Sequence, residues 1–314
     1  MQQVRIGRPF PLGWPSPAVT IGNFDGVHRG HQALVSAAVA RARESGGLAV
    51  VLTFDPHPAR ILSPDRAPAA LTTLAQKAEV LADLGVDRLA VLPFDASVAR
   101  LSPGEFARAV LHETLGARDV VVGESFRFGR RREGDVRGLV DLGRELGFSV
   151  HAVPSVLEEG SPVSSSRVRD ALARGDVGAA QTLLGRPYFV DASVVRGDGR
   201  GRTIGVPTAN LEPEDQFLPA QGVYAARCRI PGGGWRTAVA NLGRRPTFGG
   251  GQVTLEVHVV DFEGDLYGAR VRLEFHARLR GEERFDGPEA LVARIGRDIA
   301  AARALLSKPR GERV

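Results

Sequence analysis

The sequence predicts two folds in one chain: an α/β domain with a doubly wound parallel sheet, then a small antiparallel barrel or sandwich closed by a terminal helix. Three observations carry this reading. Up to about residue 185, short β-rich apolar runs alternate with helical patterns. From Arg186 the apolar runs are β-branched or alternating, and glycine and proline break them apart. The last stretch, Glu289–Leu306, places Leu291, Ile295, Ile299 and Ala302 at helical spacing. At about 150 residues per domain, 314 residues fit two domains, with expected boundaries of 1–185 and 186–314.

In the first half, Val19–Ile21 and Leu48–Phe54 read as strands around a helix from about His31 to Glu44. Thr73 caps a helix through Leu84, Gly85 stops it, and Val86–Leu92 is the next strand. Ser102-Pro103-Gly104-Glu105 has the form of a capping box. Asp119–Val122 and Ser149–Val153 are strands around a helix at Val136–Leu146, and Asp176–Gly185 is a short helix before the change of texture. In the second half, Phe189, Val223–Arg229, Ala238–Asn241, Val253–Val260 and Ala269–Phe275 mark strands, and Gly232-Gly233-Gly234 is a turn. Period two within Val253–Val259 puts Thr254, Glu256 and His258 on one face.

Composition narrows the function classes. Hydrophobic residues at 43% and charged residues at 25% are ordinary globular usage, which argues against global disorder. No apolar run approaches the roughly 18 residues that span a bilayer, and Met1–Pro17 has no apolar core of a secretory signal. The lone Cys228 excludes an internal disulfide and cysteine-cluster metal sites, so a soluble cytoplasmic protein is expected. The net charge of +5 comes almost wholly from arginine, since only Lys77 and Lys308 are lysines. Apart from Arg130–Arg132 the bases are scattered, and we read them as a solvated surface rather than a nucleic-acid stripe.

Phosphate chemistry is the strongest local signal. Gly22-Asn23-Phe24-Asp25-Gly26-Val27-His28-Arg29-Gly30-His31 comes after a strand and opens a helix. Glycines admit close backbone approach, and the open amides of a helix start favour anions. His28 and His31, three apart there, suit donors to charge developing during attack at an α-phosphorus. Ser164-Ser165-Ser166-Arg167 starts another helix, where hydroxyls and a guanidinium serve either as caps or as a phosphate clamp. Together the two segments resemble the paired signatures of the nucleotidyltransferase superfamily, which shares its sheet with class I tRNA synthetases. A second glycine- and arginine-rich loop, Gly197–Arg202, precedes Gly205-Val206-Pro207-Thr208-Ala209-Asn210, whose hydroxyl and carboxamide suit a metal-bound nucleotide.

Gly-Asn-Phe-Asp-Gly-Val-His-x-Gly-His, Phe54-Asp55-Pro56-His57-Pro58, Pro-Thr-Ala-Asn and Asp261-Phe262-Glu263-Gly264-Asp265-Leu266-Tyr267-Gly268 occur in one order over almost the whole chain. In this the chain resembles the bacterial bifunctional riboflavin kinase/FMN adenylyltransferase family, also called FAD synthetase. The resemblance implies an N-terminal α/β adenylyltransferase and a C-terminal six-stranded β-barrel kinase. It implies ATP as co-substrate, Mg²⁺ as cofactor, and riboflavin, FMN and FAD as substrates and products. It places the adenylyltransferase ATP site on Gly22, Phe24, Asp25, His28, His31, Ser164, Ser165 and Arg167. It places the flavin on Asp55, His57, Ser125, Phe126 and Phe128, with Ser125 standing where the family usually has Asn or Asp. In the kinase half it puts ATP on Gly199, Arg202, Thr208 and Asn210, with the metal on Thr208 and Asn210. Glu256 becomes the base, Asn241 and Arg245 shape the flavin wall, and Val206 replaces a more usual phenylalanine.

Two other classes compete. A flavin- or nucleotide-binding regulator has no need for His28, His31, Thr208, Asn210 and Glu256 together. An RNA-directed nucleotidyltransferase would be expected to carry an added basic or helical domain. The expected partners are therefore small molecules, with no nucleic acid and no membrane.

Overall fold

The computed structural model describes residues 1–7, 12–196, 205–245 and 252–307. The chain forms two compact units, Met1–Ser165 and Ser166–Val314. Gly199 and Arg202 lie outside the described residues, as does the side chain of Arg245.

The first unit is a parallel sheet of β1 (Gln2–Arg5), β2 (Ala18–Ile21), β3 (Ala49–Asp55), β4 (Arg88–Pro93), β5 (Asp119–Gly123) and β6 (Ser149–Val153). Their spatial order is β1-β4-β3-β2-β5-β6, and a small two-stranded sheet of β7 (Leu157–Glu158) and β8 (Ser161–Pro162) follows in the chain. Successive strand residues feed opposite faces. Val19, Ile21, Val50, Leu52, Val120 and Val122 enter one core, while Val51, Leu89 and Val91 enter another with Phe24, Val35 and Leu81. Burial on both faces is why these strands read as continuous apolar runs, each large side chain contributing about 1.5–3 kcal/mol. The edge strand β1 escapes sequence reading because its residues, Gln-Gln-Val-Arg, are mostly exposed and only the ladder to β4 defines it.

The helices begin and end where their caps dictate. They are α1 (Arg29–Ser45), α2 (Pro58–Leu62), α3 (Leu74–Asp83), α4 (Ala96–Arg100), α5 (Pro103–Phe106, widening into a π-helix over Ala107–Thr114) and α6 (Val136–Leu146). Both predicted capping boxes form, Thr73 with Gln76 and Ser102 with Glu105. Gly46 and Gly147 close α1 and α6 in the left-handed region. Strand order reverses between β2 and β5. In open α/β sheets this switch point opens a crevice at the carboxyl ends of the strands.

The unit boundary cuts α7 (Ser165–Ala173) after its first residue; in the second unit the rest of α7 and α8 (Val177–Leu184) precede a closed antiparallel barrel. Its strands are β9 (Tyr188–Val195), β10 (Ala209–Pro213), β11 (Gly222–Ile230), β12 (Gly234–Arg245), β13 (Gln252–Val259) and β14 (Arg270–Arg280), closing in the order β10-β13-β12-β11-β14-β9. The terminal helix α9 (Pro288–Leu306) packs Ala302 and Leu306 on Val223, Ala225 and Val239. Helix α8 covers β9 and β14. Among the described residues no helix is long and apolar enough to cross a membrane.

Candidate functional sites

The loop between β2 and α1 occupies the switch point, and buried polar groups hold it open. Asp25, almost fully buried, accepts hydrogen bonds from the backbone N–H groups of Leu71 (2.8 Å) and Thr72 (3.3 Å). The Gly26 N–H donates to the Thr72 hydroxyl at 3.1 Å. Phe24 and Val27, both fully buried, adopt positive φ (47° and 42°), a conformation that costs non-glycine residues energy and collects at functional sites. Asp25 is therefore an anchor of the loop through its side chain.

His28 is the N-cap of α1, its Nδ1 accepting from the His31 N–H at 3.3 Å. An accepting Nδ1 puts the proton of the neutral ring on Nε2. The His28 and His31 rings stack with centroids 3.6 Å apart at 19°. Gly30 makes room for this pair: a Cβ there would lie 3.2 Å from the His28 ring and 3.4 Å from the Val163 carbonyl. Gly22 is similarly close, its Cβ position 3.2 Å from the Phe24 ring. The second signature meets the first, because the Ser165 hydroxyl donates to the Asp25 carbonyl at 2.9 Å. Ser164 immediately precedes it, and Arg167 sits two residues along α7.

Beside this loop lies a cavity of about 360 Å³. Ile21, Phe54, Phe94, Phe106, Phe126 and Phe128 give it an aromatic floor, and Asn23 joins it to the loop. Phe126 and Phe128 stack at 5.5 Å and 12°, so the pair that the resemblance assigns to the flavin is brought to the cavity. Arg127 and Arg130–Arg132 form its charged rim. The arginine run read from the sequence as plain surface thus borders a site, with Arg131 and Arg132 in left-handed backbone (φ 51° and 60°). Three expected flavin residues are not among those lining this cavity. Asp55 faces Arg5 at 3.6 Å, His57 caps α2 by accepting from the Ala59 N–H, and Ser125 is exposed. The neighbouring Phe54 and Phe126 supply the cavity floor instead.

The barrel builds its site by register. Asn210 on β10 pairs with Glu256 on β13, which pairs on its other side with Asn241 on β12. Three polar side chains thus form one row across three strands. Glu256, His258, Asn241, Val223 and Val239 line a cavity of about 350 Å³, roofed by Leu291 and Ile295 of α9. Arg280 closes the roof, donating to Asp298 of α9 at 3.0 Å beneath the Phe285 ring. A second cavity of about 210 Å³ is lined by Phe262–Tyr267, Val257 and Val259. Thr208 lines both. It stands just before β10 rather than on the strand with Asn210, and His258 Nδ1–H donates to the adjacent Pro207 carbonyl at 2.8 Å. Val206 also lines the larger cavity.

Sequence reasoning missed several of these residues. Lys77, Thr72 and Thr53 act on backbone groups of the loop, Leu71 on the Asp25 carboxylate, and Arg280 and Asp298 act between distant elements. The one signal for Lys77 was compositional, a lysine kept in a chain that otherwise uses arginine. Hydroxyl and carboxamide donors at Thr208 and Asn210 are hard oxygen ligands that suit Mg²⁺, which binds one or two side chains plus substrate phosphates. Among the described residues no cluster of three or more His, Cys, Asp or Glu forms an all-protein metal cage.

A family model described as FAD synthetase matches residues 13–167, and one described as riboflavin kinase matches residues 184–306. The chain is similar to proteins named bifunctional riboflavin kinase/FMN adenylyltransferase from three bacteria. The Pseudomonas fluorescens protein is 44% identical over 91% of this chain and 92% of its own length. The Escherichia coli K12 protein is 41% identical over 93% and 94%. The Bacillus subtilis protein is 37% identical over 95% and 96%. A crystal structure described as a macrolide-efflux protein from Streptococcus pneumoniae superposes with a TM-score of 0.88 at 33% identity, covering 96% of this chain and 98% of that one.

Proposed function

The chain belongs to the bifunctional riboflavin kinase/FMN adenylyltransferase family, and we propose from that premise how its residues divide the work. The protein phosphorylates riboflavin with ATP to FMN and adenylylates FMN with ATP to FAD.

In adenylyl transfer a phosphate oxygen of FMN attacks the α-phosphorus of ATP and pyrophosphate leaves. The start of α1, with the stacked His28 and His31, receives the triphosphate, and Ser164, Ser165 and Arg167 complete its clamp. Donors fixed before the reaction stabilise the charge that develops at phosphorus, without reorganisation during the step. The aromatic cavity takes the isoalloxazine ring, whose faces suit Phe126 and its neighbours. The arginine rim faces the doubly charged ribityl phosphate, which riboflavin lacks.

In the barrel, riboflavin occupies the larger cavity with its ribityl chain toward Glu256, and ATP the smaller. Glu256 accepts the proton of the 5′-hydroxyl as that oxygen attacks the γ-phosphorus and ADP leaves. Asn241 orients the chain, Thr208 with Asn210 would hold Mg²⁺, and the resemblance alone assigns Arg245 to the flavin. The cation supplies neutralisation of phosphate charge when bound. Gly199 and Arg202 are assigned to ATP by the resemblance alone. The boundary between the two chemistries falls at 185/186, where the barrel strands start, even though α7 and α8 pack with the barrel. Small-molecule substrates and a cytoplasmic setting complete the reading.

The observation that carries the kinase assignment is Thr208, which borders both barrel cavities and so marks where a nucleotide and an alcohol meet. Incubation with ATP, Mg²⁺ and riboflavin should give FMN and then FAD on chromatography. Omitting Mg²⁺ should abolish both. Product formed equally well in chelator would overturn the metal assignment.

A further inference from the structure

Lys77 lies on α3, far in sequence from every residue given a role in either reaction, and it is buried. Its ammonium donates to the Asn23 carbonyl at 2.7 Å and to the Thr53 hydroxyl at 3.2 Å. The Thr53 hydroxyl donates to the same Asn23 carbonyl at 3.1 Å. Two donors from different elements therefore fix one peptide oxygen, that of the bond between Asn23 and the left-handed Phe24. Asn23 borders the aromatic cavity, and Phe24 packs on the His31 ring with centroids 5.1 Å apart. Holding that peptide plane thus sets both the cavity wall and the surface on which a histidine rests.

A buried ammonium is a costly way to hold a carbonyl, since a hydroxyl or amide would serve without desolvating a charge. The charge itself must then contribute. Beneath a loop that receives a triphosphate, a cation adds attraction that a low-dielectric interior screens weakly. The chemistry also suits lysine over the arginine this chain otherwise uses. A compact point charge fits under one carbonyl, where a planar fork of five donors would leave several unmatched.

We propose that Lys77 is a positioning residue for adenylyl transfer. From beneath the loop its ammonium clamps the Asn23 carbonyl and so holds the Phe24 turn, with His31 against it, in the geometry that receives the nucleotide. It touches no reacting atom and acts through the backbone of residues 23 and 24. The role rests on the adenylyltransferase reading of the loop.

Burial pulls the Lys77 ammonium down to about 8, against the attraction of Asp25 on the loop and Asp55 at the end of β3. A lowered lysine is charged below that pH and neutral above it. Adenylylation should therefore lose rate as pH rises through about 8, an alkaline limb.

The test uses the full chain, with riboflavin phosphorylation as the internal measure of folding. Lys77→Met keeps length and apolar bulk while removing the charge. The expected result is a ten- to hundred-fold lower kcat for FAD formation from FMN, a KM for ATP raised by about threefold or more, no alkaline limb, and unchanged riboflavin phosphorylation. Thr53→Val removes only the second donor and should cost about three- to tenfold while keeping the limb. A Lys77→Met enzyme with the wild-type rate, or with the alkaline limb intact, overturns the proposal. Should that variant not fold, the wild-type protein decides: adenylylation flat to about pH 9.5, well above the lowered ammonium, overturns the proposal equally. A wild-type chain that makes no FAD at any pH would instead overturn the adenylyltransferase reading itself.

Discussion

The sheet site and the barrel site handle the same nucleotide by opposite architectural means. At the switch point every functional group sits on a loop or a helix start, and buried partners elsewhere hold that loop: Asp25 on the amides of Leu71 and Thr72, Lys77 under Asn23, Ser165 on the Asp25 carbonyl. In the barrel the strands themselves carry three of the proposed groups, because antiparallel register sets Asn210, Glu256 and Asn241 side by side. A loop site needs external anchors and is sensitive to remote groups. A register site is rigid by construction, and sensitive chiefly to the side chains in the row.

The sharpest way to exploit this contrast is to remove the proposed base from the row. Glu256→Gln keeps shape and register, so phosphorylation of riboflavin should fall about a hundred- to ten-thousand-fold while adenylylation of FMN persists. Undiminished FMN formation in a steady-state assay would make the glutamate a spacer between two asparagines. Next in size is His31→Ala. Loss of one fixed donor to developing charge typically costs about a hundred-fold or more. FMN should therefore accumulate as the end product, with phosphorylation nearly intact. Equal losses in both half-reactions, or an altered circular dichroism spectrum, would mean that stacking of the histidines maintains the fold.

These two residues also mark what was legible in the sequence. His28, His31, Gly22 and Gly30 lie within ten positions, so the strand–turn–helix context that places them together was readable directly. Periodicity placed Glu256 and His258 on one face, and both line the same cavity. It could not find the row, because register joins residues 210, 241 and 256 across turns whose length the pattern does not fix. The anchors were invisible for a related reason. Thr53 looks like any strand residue and Lys77 like any helix residue, and their work is done on the Asn23 carbonyl, 30 and 54 residues away. The polar edge strand β1 failed to register because only its ladder, not its composition, makes it a strand.

An anchor variant should have an intermediate effect. Asp25→Ala leaves the N–H groups of Leu71 and Thr72 buried without that carboxylate. Such losses cost about 1–3 kcal/mol, and 1–2 kcal/mol of lost positioning corresponds to about five- to thirty-fold in rate. Adenylylation should fall by that range, with a raised KM for ATP, while the barrel reaction stays within about twofold. A comparable loss of both activities would show that the loop is a folding element first.

The smallest effect on activity should come from cutting the chain, and it separates the chemical boundary from the structural one. A fragment of residues 186–314 holds every barrel strand, Thr208, Asn210, Glu256 and α9. A fragment of residues 166–314 adds α8 and all but the first residue of α7. Because register fixes the site, both should form FMN with kcat and KM within about twofold of the full chain. Stability should differ. Leu183 and Leu184 of α8 are buried, and α8 packs on β9 and β14. The Ala220 N–H donates to the Leu172 carbonyl, and Gly175 lies where a Cβ would strike the Arg278 side chain at 2.8 Å. Removing two buried leucines forfeits about 1.5–3 kcal/mol each, an upper bound because the unfolded chain already buries some of that area. For a unit of this size that shifts the thermal midpoint by about 10 °C or more. Scanning calorimetry on the two fragments, beside FMN assays at a temperature where both are folded, makes the comparison. Equal midpoints would mean that α7 and α8 merely accompany the barrel. A folded longer fragment without FMN formation would mean that the register site needs the first unit after all.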